Sequence, residues 1–282
     1  HRWGRETLEV QETIRQELGD KWIRVAQCGP AGERLVRLAN IVHDVNRAAG
    51  RGGLGAVMGS KRLRAVAVRG SQRPPVADEA QVSELGKWFR DHYMETSSAV
   101  FHTLATMRMV RANQSYGGLP TRNFQEGVFE GWEKITAERQ LETYTVGRDT
   151  CFGCPIGCKW IVEVNDAEYK VERKYGGPEY ETVGAMGSLC GMDDLRAINT
   201  ANQICNANGL DTIGTGVTIA FAMECFERGL LTLEDTGGLE LRFGNASTML
   251  EMVRRIARRE GLGDLLSGGS KRAAQRIGGE AW

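Results

Sequence analysis

The chain has little of what would mark an extracellular, membrane or nucleic-acid-binding protein. Its 282 residues set 36 Lys and Arg against 36 Asp and Glu, and a net charge of zero removes the basic footprint that nucleic acid or an anionic lipid surface requires. No apolar run approaches bilayer length, and the opening His1-Arg2-Trp3-Gly4 lacks the basic-then-apolar layout of a signal peptide. A starting Met is also absent, so the sequence reads as an internal piece of a longer protein. Histidine is scarce. The four present, His1, His43, His92 and His102, are unpaired, and there is no second C-x-x-C, so the usual zinc arrangements are missing. Seven cysteines without a secretory signal point to a reducing, cytoplasmic setting and to metal ligands over disulfides.

What is present centres on Cys151-Phe152-Gly153-Cys154-Pro155-Ile156-Gly157-Cys158. Glycine and proline between the thiols favour a tight loop in which three sulfurs converge and backbone amides face them, the chemistry of an iron-sulfur ligand loop. The order of the gaps is not that of a radical-SAM loop. A cubane cluster takes four ligands, and the candidates for the fourth are Cys28, Cys190, Cys205, Cys225 or a cysteine outside this chain. Cys190, Cys205 and Cys225 fall in helix-like apolar surroundings, where a free thiol behaves as a small hydrophobe. Two competing readings stay open: structural thiols that cluster by chance, and a structural zinc completed by a distant ligand.

The composition, 41% hydrophobic and 26% charged, supports one large domain or two ordinary ones. Apolar spacing predicts an amphipathic helix over residues 5–18, a strand at 22–26, a turn at 29–32, a strand over 34–42 and another at 63–68. Gln72-Arg73-Pro74-Pro75 is a break in composition and the expected domain boundary. Beyond it, helices are predicted at 77–94, 98–112 and 136–145, with an extended segment after Cys158. Further helices are predicted at 182–190, 193–207, 212–229, 246–260 and 264–277. The expected class is α+β: a short β-rich portion, residues 1–72, followed by a mainly α-helical domain, residues 73–282.

Three more features bear on chemistry. The glycine-rich run 50–59, flanked by Arg51 and Lys61, either cradles an anionic group with its amides or is a flexible turn feeding a strand. It matches neither a P-loop nor a dinucleotide fingerprint. Asn206-Ala207-Asn208-Gly209-Leu210-Asp211-Thr212 is explained by helix capping, yet the same turn can offer Asn206 and Asp211 acceptors to a donor-rich heterocycle. Glu179 and Glu181 follow a Gly-Pro turn. They are either an exposed helix start or, if one is enclosed beside a redox centre, a general acid or base.

Together, Ala49-Gly50-Arg51-Gly52-Gly53-Leu54-Gly55-Ala56-Val57-Met58-Gly59-Ser60-Lys61, the three-cysteine loop, Gly177-Pro178-Glu179-Tyr180-Glu181 and residues 206–212 resemble, in order, the motifs of the aldehyde:ferredoxin oxidoreductases. These are tungsten-pterin enzymes, and the wider family includes carboxylate oxidoreductases and the active-site subunit of the tungsten benzoyl-CoA reductase. The resemblance runs along essentially the whole chain. It implies the end of a β-rich pterin-binding domain followed by a helical domain, with the start of the first domain and a third, helical domain lying outside this sequence. By the same resemblance Cys151, Cys154 and Cys158 are three ligands of a 4Fe-4S cluster, the fourth coming from the third domain. Arg51 and Gly52 contact the pterin, as do Asn206, Gly209, Leu210 and Asp211 in the first of two pterin turns. The family often has Asp where this chain has Asn206. Glu181 is the carboxylate beside tungsten, or molybdenum, held by two pterins. The implied activity is oxidation of a small aldehyde to its acid with a ferredoxin or ferredoxin-like subunit as acceptor, and a homodimer is admitted. The alternatives are a subunit reducing an aromatic acyl-CoA or carboxylate, and an iron-sulfur electron-transfer module without chemistry of its own. The piece by itself is expected to be inactive.

Overall fold

The structure is a computed structural model that describes residues 2–281. Helix makes up 49% and strand 11%, with every strand pairing antiparallel, so the class is α+β as expected. The N-terminal portion runs α1 (Thr7–Glu17), β1 (Arg24–Cys28), α2 (Pro30–Glu33), β2 (Ile41–His43), β3 (Arg47–Ala49), α3 (Leu54–Ser60) and β4 (Ala65–Val68). Its four strands form one sheet in the order β3-β2-β1-β4. Alternation along β1 sends Val25 toward α1, where Val10, Ile14 and Ile23 complete a small apolar core. Ala26, paired with both His43 and Val66, belongs to the other face. That face, with Arg24 and Val68, looks into an open groove.

The predicted strand over 34–42 is corrected. Leu35 has φ 60° and Val36 N–H bonds back to Ala31, which folds the start of the segment into turns, and only Ile41–His43 is strand. The rest of its backbone is engaged elsewhere: Asp211 N–H donates to Leu38 O, Asn40 N–H to Gly209 O and Arg37 N–H to Ser267 O, all at 2.9 Å. The glycine-rich run is likewise not simply a turn, because its second half is α3. Gly55 is needed there, since a Cβ would meet Asn40 O at 2.3 Å.

The remaining chain contains α4 (Glu79–His92), α5 (Ala99–Leu104), α6 (Met109–Ser115) and α7 (Ala137–Thr143). Two short antiparallel pairs follow, β5 (Thr145–Asp149) with β6 (Lys159–Val162) and β7 (Val164–Asn165) with β8 (Lys170–Val171). The chain closes with α8 (Tyr180–Met186), α9 (Leu195–Asn208), α10 (Thr212–Glu227), α11 (Ala246–Arg258), α12 (Leu262–Leu266) and α13 (Ser270–Ile277). Three differences from the sequence reading have local causes. The predicted helix over 98–112 breaks at Ala105, φ 51°, which is buried. The one over 264–277 breaks at Gly269, φ 85°. The predicted helix over 136–145 gives way to β5 at Thr145, so the cysteine loop is the connection of a hairpin rather than a helix-to-strand link.

A single large core unites the C-terminal helices, with Ile198, Ile219, Met223, Met252 and Val253 fully buried. α9 packs against α1, α8 and α11, and α8 against α10. No helix of the described residues is long and apolar enough to cross a membrane.

Candidate metal and cofactor site

The cysteine loop spans residues 150–158 without regular structure, closed at its base by the pairing of Asp149 with Lys159. Gly153 and Gly157 adopt φ 71° and 63°, a region L side chains avoid, and Cys154 N–H bonds to Cys151 O at 3.1 Å. Cys151 is exposed, while Cys154 and Cys158 are half-buried. The Cys158 thiol is pushed up first by burial, next by the Glu179 charge, then by Cys151 and Cys154, so the three thiols act on one another. No group of three or more His, Cys, Asp or Glu among the described residues stands close enough to hold a metal ion. The donor set nevertheless suits a soft metal or iron-sulfur centre: three thiols from one loop, free of disulfides.

The other cysteines do not join them. Cys28, Cys190, Cys205 and Cys225 are buried, and burial raises Cys190 to about 12 and Cys225 to about 11, making poor thiolates.

Of the neighbours of the loop, Arg47 and His102 were not singled out as site residues by sequence, whereas Glu179 was one of the two carboxylates it offered. Arg47 Nη2 donates to Asp149 Oδ2 at 3.0 Å and to Thr150 O at 2.8 Å. His102 Nδ1 donates to Ile156 O at 2.6 Å, which places its proton on Nδ1. Glu179 lies against the loop, its Oε1 3.4 Å from Lys159 Nζ and its Oε2 accepting from Thr106 Oγ1. Glu181, the candidate named from sequence, sits exposed in the first turn of α8 with no hydrogen-bond or ion partner among the described residues. The loop and the exposed face of the four-stranded sheet enclose a groove of about 1030 Å³, lined in part by Arg24, Ala26, Arg47, Val66, Cys151 and Phe152.

The second constellation joins α9 to α10. Gly209 is left-handed, φ 71°, and Asp211, 8% exposed, caps α10 by accepting from Ile213 N–H and Gly214 N–H at 3.1 and 3.0 Å. Leu210 is fully buried and bridges to Ala39. Asn206 Nδ2 donates to Tyr175 O at 2.9 Å. A carboxylate at that position could not make this bond, which accounts for Asn here. Arg51, φ 65° and followed by left-handed Gly52 and Gly53, brings its Nε to 4.0 Å from Asp211 Oδ2. The structure thus unites Arg51 with Asp211, and the cysteine loop with Glu179. Arg51, Asn206, Asp211 and Glu181 do not line the groove.

Comparison with known proteins gives the family of the chain. Residues 1–70 match the family model for the N-terminal domain of aldehyde ferredoxin oxidoreductase, and residues 82–282 match that for its domains 2 and 3. The chain is 40% identical over 284 residues to the tungsten-containing aldehyde ferredoxin oxidoreductase of Pyrococcus furiosus, covering 99% of this chain and 46% of that protein. It is 39% identical over 288 residues to the protein of the same description from Pyrococcus abyssi, covering 98% of this chain and 46% of that one. Among solved structures it resembles the active site complex BamBC of benzoyl coenzyme A reductase with bound 1,5-dienoyl-CoA. That match has a TM-score of 0.75 at 26% identity, covering 99% of this chain and 43% of that one. The chain therefore spans just under half the length of these relatives. With both family models matched in order along it, the chain belongs to the aldehyde ferredoxin oxidoreductase family.

Proposed function

We propose that this chain is part of the catalytic subunit of a tungsten-pterin oxidoreductase that converts a small aldehyde to its carboxylic acid and passes electrons to a ferredoxin or ferredoxin-like subunit. The observation that carries this reading is the segment 47–51. Arg47 grips the base of the cysteine loop, and Arg51 reaches Asp211 in the turn between α9 and α10. One stretch of chain, at most roughly 14 Å of backbone, therefore carries a contact to each of the two candidate cofactor positions.

On this reading Cys151, Cys154 and Cys158 would hold three corners of a 4Fe-4S cluster whose fourth ligand lies outside this chain. Arg51, Gly52, Asn206, Gly209, Leu210 and Asp211 would hold one pterin of a tungsten, or molybdenum, bis-pterin centre. Bound there, the two groups supply two-electron oxidation of the substrate and single-electron exit. The chain's own residues orient and balance charge. Asp211 is pinned by two helix amides, so Arg51 meets a fixed carboxylate. Glu181, at a helix start and without a partner among the described residues, would take a proton from a reacting group. The seven cysteines are free in the structure, which suits a reducing cytoplasm.

The test is metal and pterin analysis of the protein carrying this chain, purified without oxygen. Iron with tungsten and pterin supports the reading. Iron without pterin reduces it to an electron-transfer module, and zinc alone overturns it. A second reading, reduction of an aromatic acyl-CoA within a multi-subunit complex, is favoured by the likeness to the benzoyl coenzyme A reductase structure. Aldehyde-dependent dye reduction separates the two, because an acyl-CoA reductase gives none.

A further inference from the structure

The carboxylate that meets the cysteine loop is Glu179, not Glu181, and three observations converge on it. Thr106 Oγ1 donates to Glu179 Oε2 and accepts from Tyr180 N–H at 3.0 Å, so the hydroxyl locks Glu179 to the start of α8. Thr106 reaches this point because the chain breaks helix at Ala105. The other oxygen, Oε1, stands 3.4 Å from Lys159 Nζ, the Lys159 and Glu179 side chains being 17% and 34% exposed, so the pair is partly shielded from solvent. Lys159 directly follows Cys158 and pairs with Asp149 at the base of the loop, so the ion pair with Glu179 sits on the strand that leaves the loop. A thiolate-ligated cluster is anionic and gains a further negative charge on reduction. An adjacent fixed cation favours the reduced state and an adjacent fixed anion opposes it.

We propose that Lys159 and Glu179 act as an opposed pair of positioning residues that set the reduction potential of the iron-sulfur centre held by this loop. Lys159 is the counter-cation of the thiolates, and Glu179, clamped by Thr106, holds Lys159 in place and limits its effect. This rests on the cluster reading of the preceding subsection. It assigns Glu179 a role separate from proton transfer at Glu181.

The experiment uses the whole protein purified anaerobically, with iron counted per chain and the cluster midpoint potential read by EPR-monitored redox titration. Glu179→Gln keeps the side-chain shape and an acceptor for Thr106 while removing the charge, and Lys159→Gln removes the cation. The expected result is opposite shifts at unchanged iron content, a higher potential in E179Q and a lower one in K159Q, with Lys159→Arg restoring the original value. Shifts of the same sign, or none, overturn the proposal. So does loss of iron in both variants, since the pair would then only be shaping the loop. If the unsubstituted protein holds no iron, the cluster reading itself falls and this inference with it. An iron-loaded protein with immobile potentials sinks this inference alone.

Discussion

Asn206 shows how one atom type decides a position. Its side-chain amide donates to Tyr175 O at 2.9 Å while its backbone carbonyl accepts from Thr7 Oγ1 at 2.9 Å, tying α9 to α1 and to the turn ahead of α8. Asn206→Asp puts a carboxylate against the Tyr175 carbonyl, and a cost of about 1–3 kcal/mol is expected in chemical denaturation. The sequence already marked the site as a departure from the family pattern. Only the tertiary partner supplies the reason. Cys190 makes a second residue-scale case. Burial raises its thiol from 9.0 to about 12, so the fold keeps the proton over a range where the unfolded chain releases it. Stability is whole below pH 9 and declines as pH climbs from 9 toward 12, by at most about 1.4 kcal/mol per pH unit for this group. Cys190→Ala should flatten that part of the alkaline decline, measured as denaturation midpoints at successive pH values.

At the scale of elements, the turn between α9 and α10 depends on backbone meeting backbone. A Cβ on Gly29 would meet Asn208 O at 2.1 Å and Gly209 N at 2.5 Å, neither of which can swing away as a side chain does. Gly29→Ala is expected to cost about 1–3 kcal/mol and to lower the pterin retained per chain, read by thermal unfolding and pterin assay. Arg51 behaves in the opposite way. Its left-handed backbone carries strain and its ion pair with Asp211 is mostly solvent-exposed, the Arg51 side chain being 64% accessible. Arg51→Gly relieves the strain but loosens the unfolded chain, so stability should stay within about 1 kcal/mol of the original while pterin content falls. A large loss of stability without loss of pterin would show that Arg51 serves the fold and not the cofactor. The helices with ordinary caps, α4 behind Asp78, α9 behind Asp194 and α11 behind Asn245, were legible from sequence because capping and periodicity are local. The segment 34–42 was not, because its hydrogen bonds go to residues 209, 211 and 267.

For the molecule as a whole, core and cysteine loop are separate. The large core runs through the C-terminal helices, whereas Cys151, Cys154 and Cys158 belong to none of its clusters. In metal-free protein, Cys154→Ala should change stability by less than about 0.5 kcal/mol. Ile198→Ala, in the fully buried face of α9, should cost about 2–5 kcal/mol. Equal losses in parallel denaturant melts would mean that the loop supports the fold even without metal. What the sequence determined by itself is the local content: the α+β class, most helices, the three-cysteine loop, and four motifs whose order marks the family. Each is written in neighbouring residues or in a fixed order along the chain. Only the tertiary structure decided which groups meet. It set Glu179 rather than Glu181 against the thiols, and Arg51 beside Asp211. It also ran one short segment between the two candidate cofactor positions. Those pairings join residues far apart in the chain, through a helix break at Ala105 and a left-handed turn at Arg51 that no local pattern of polarity encodes.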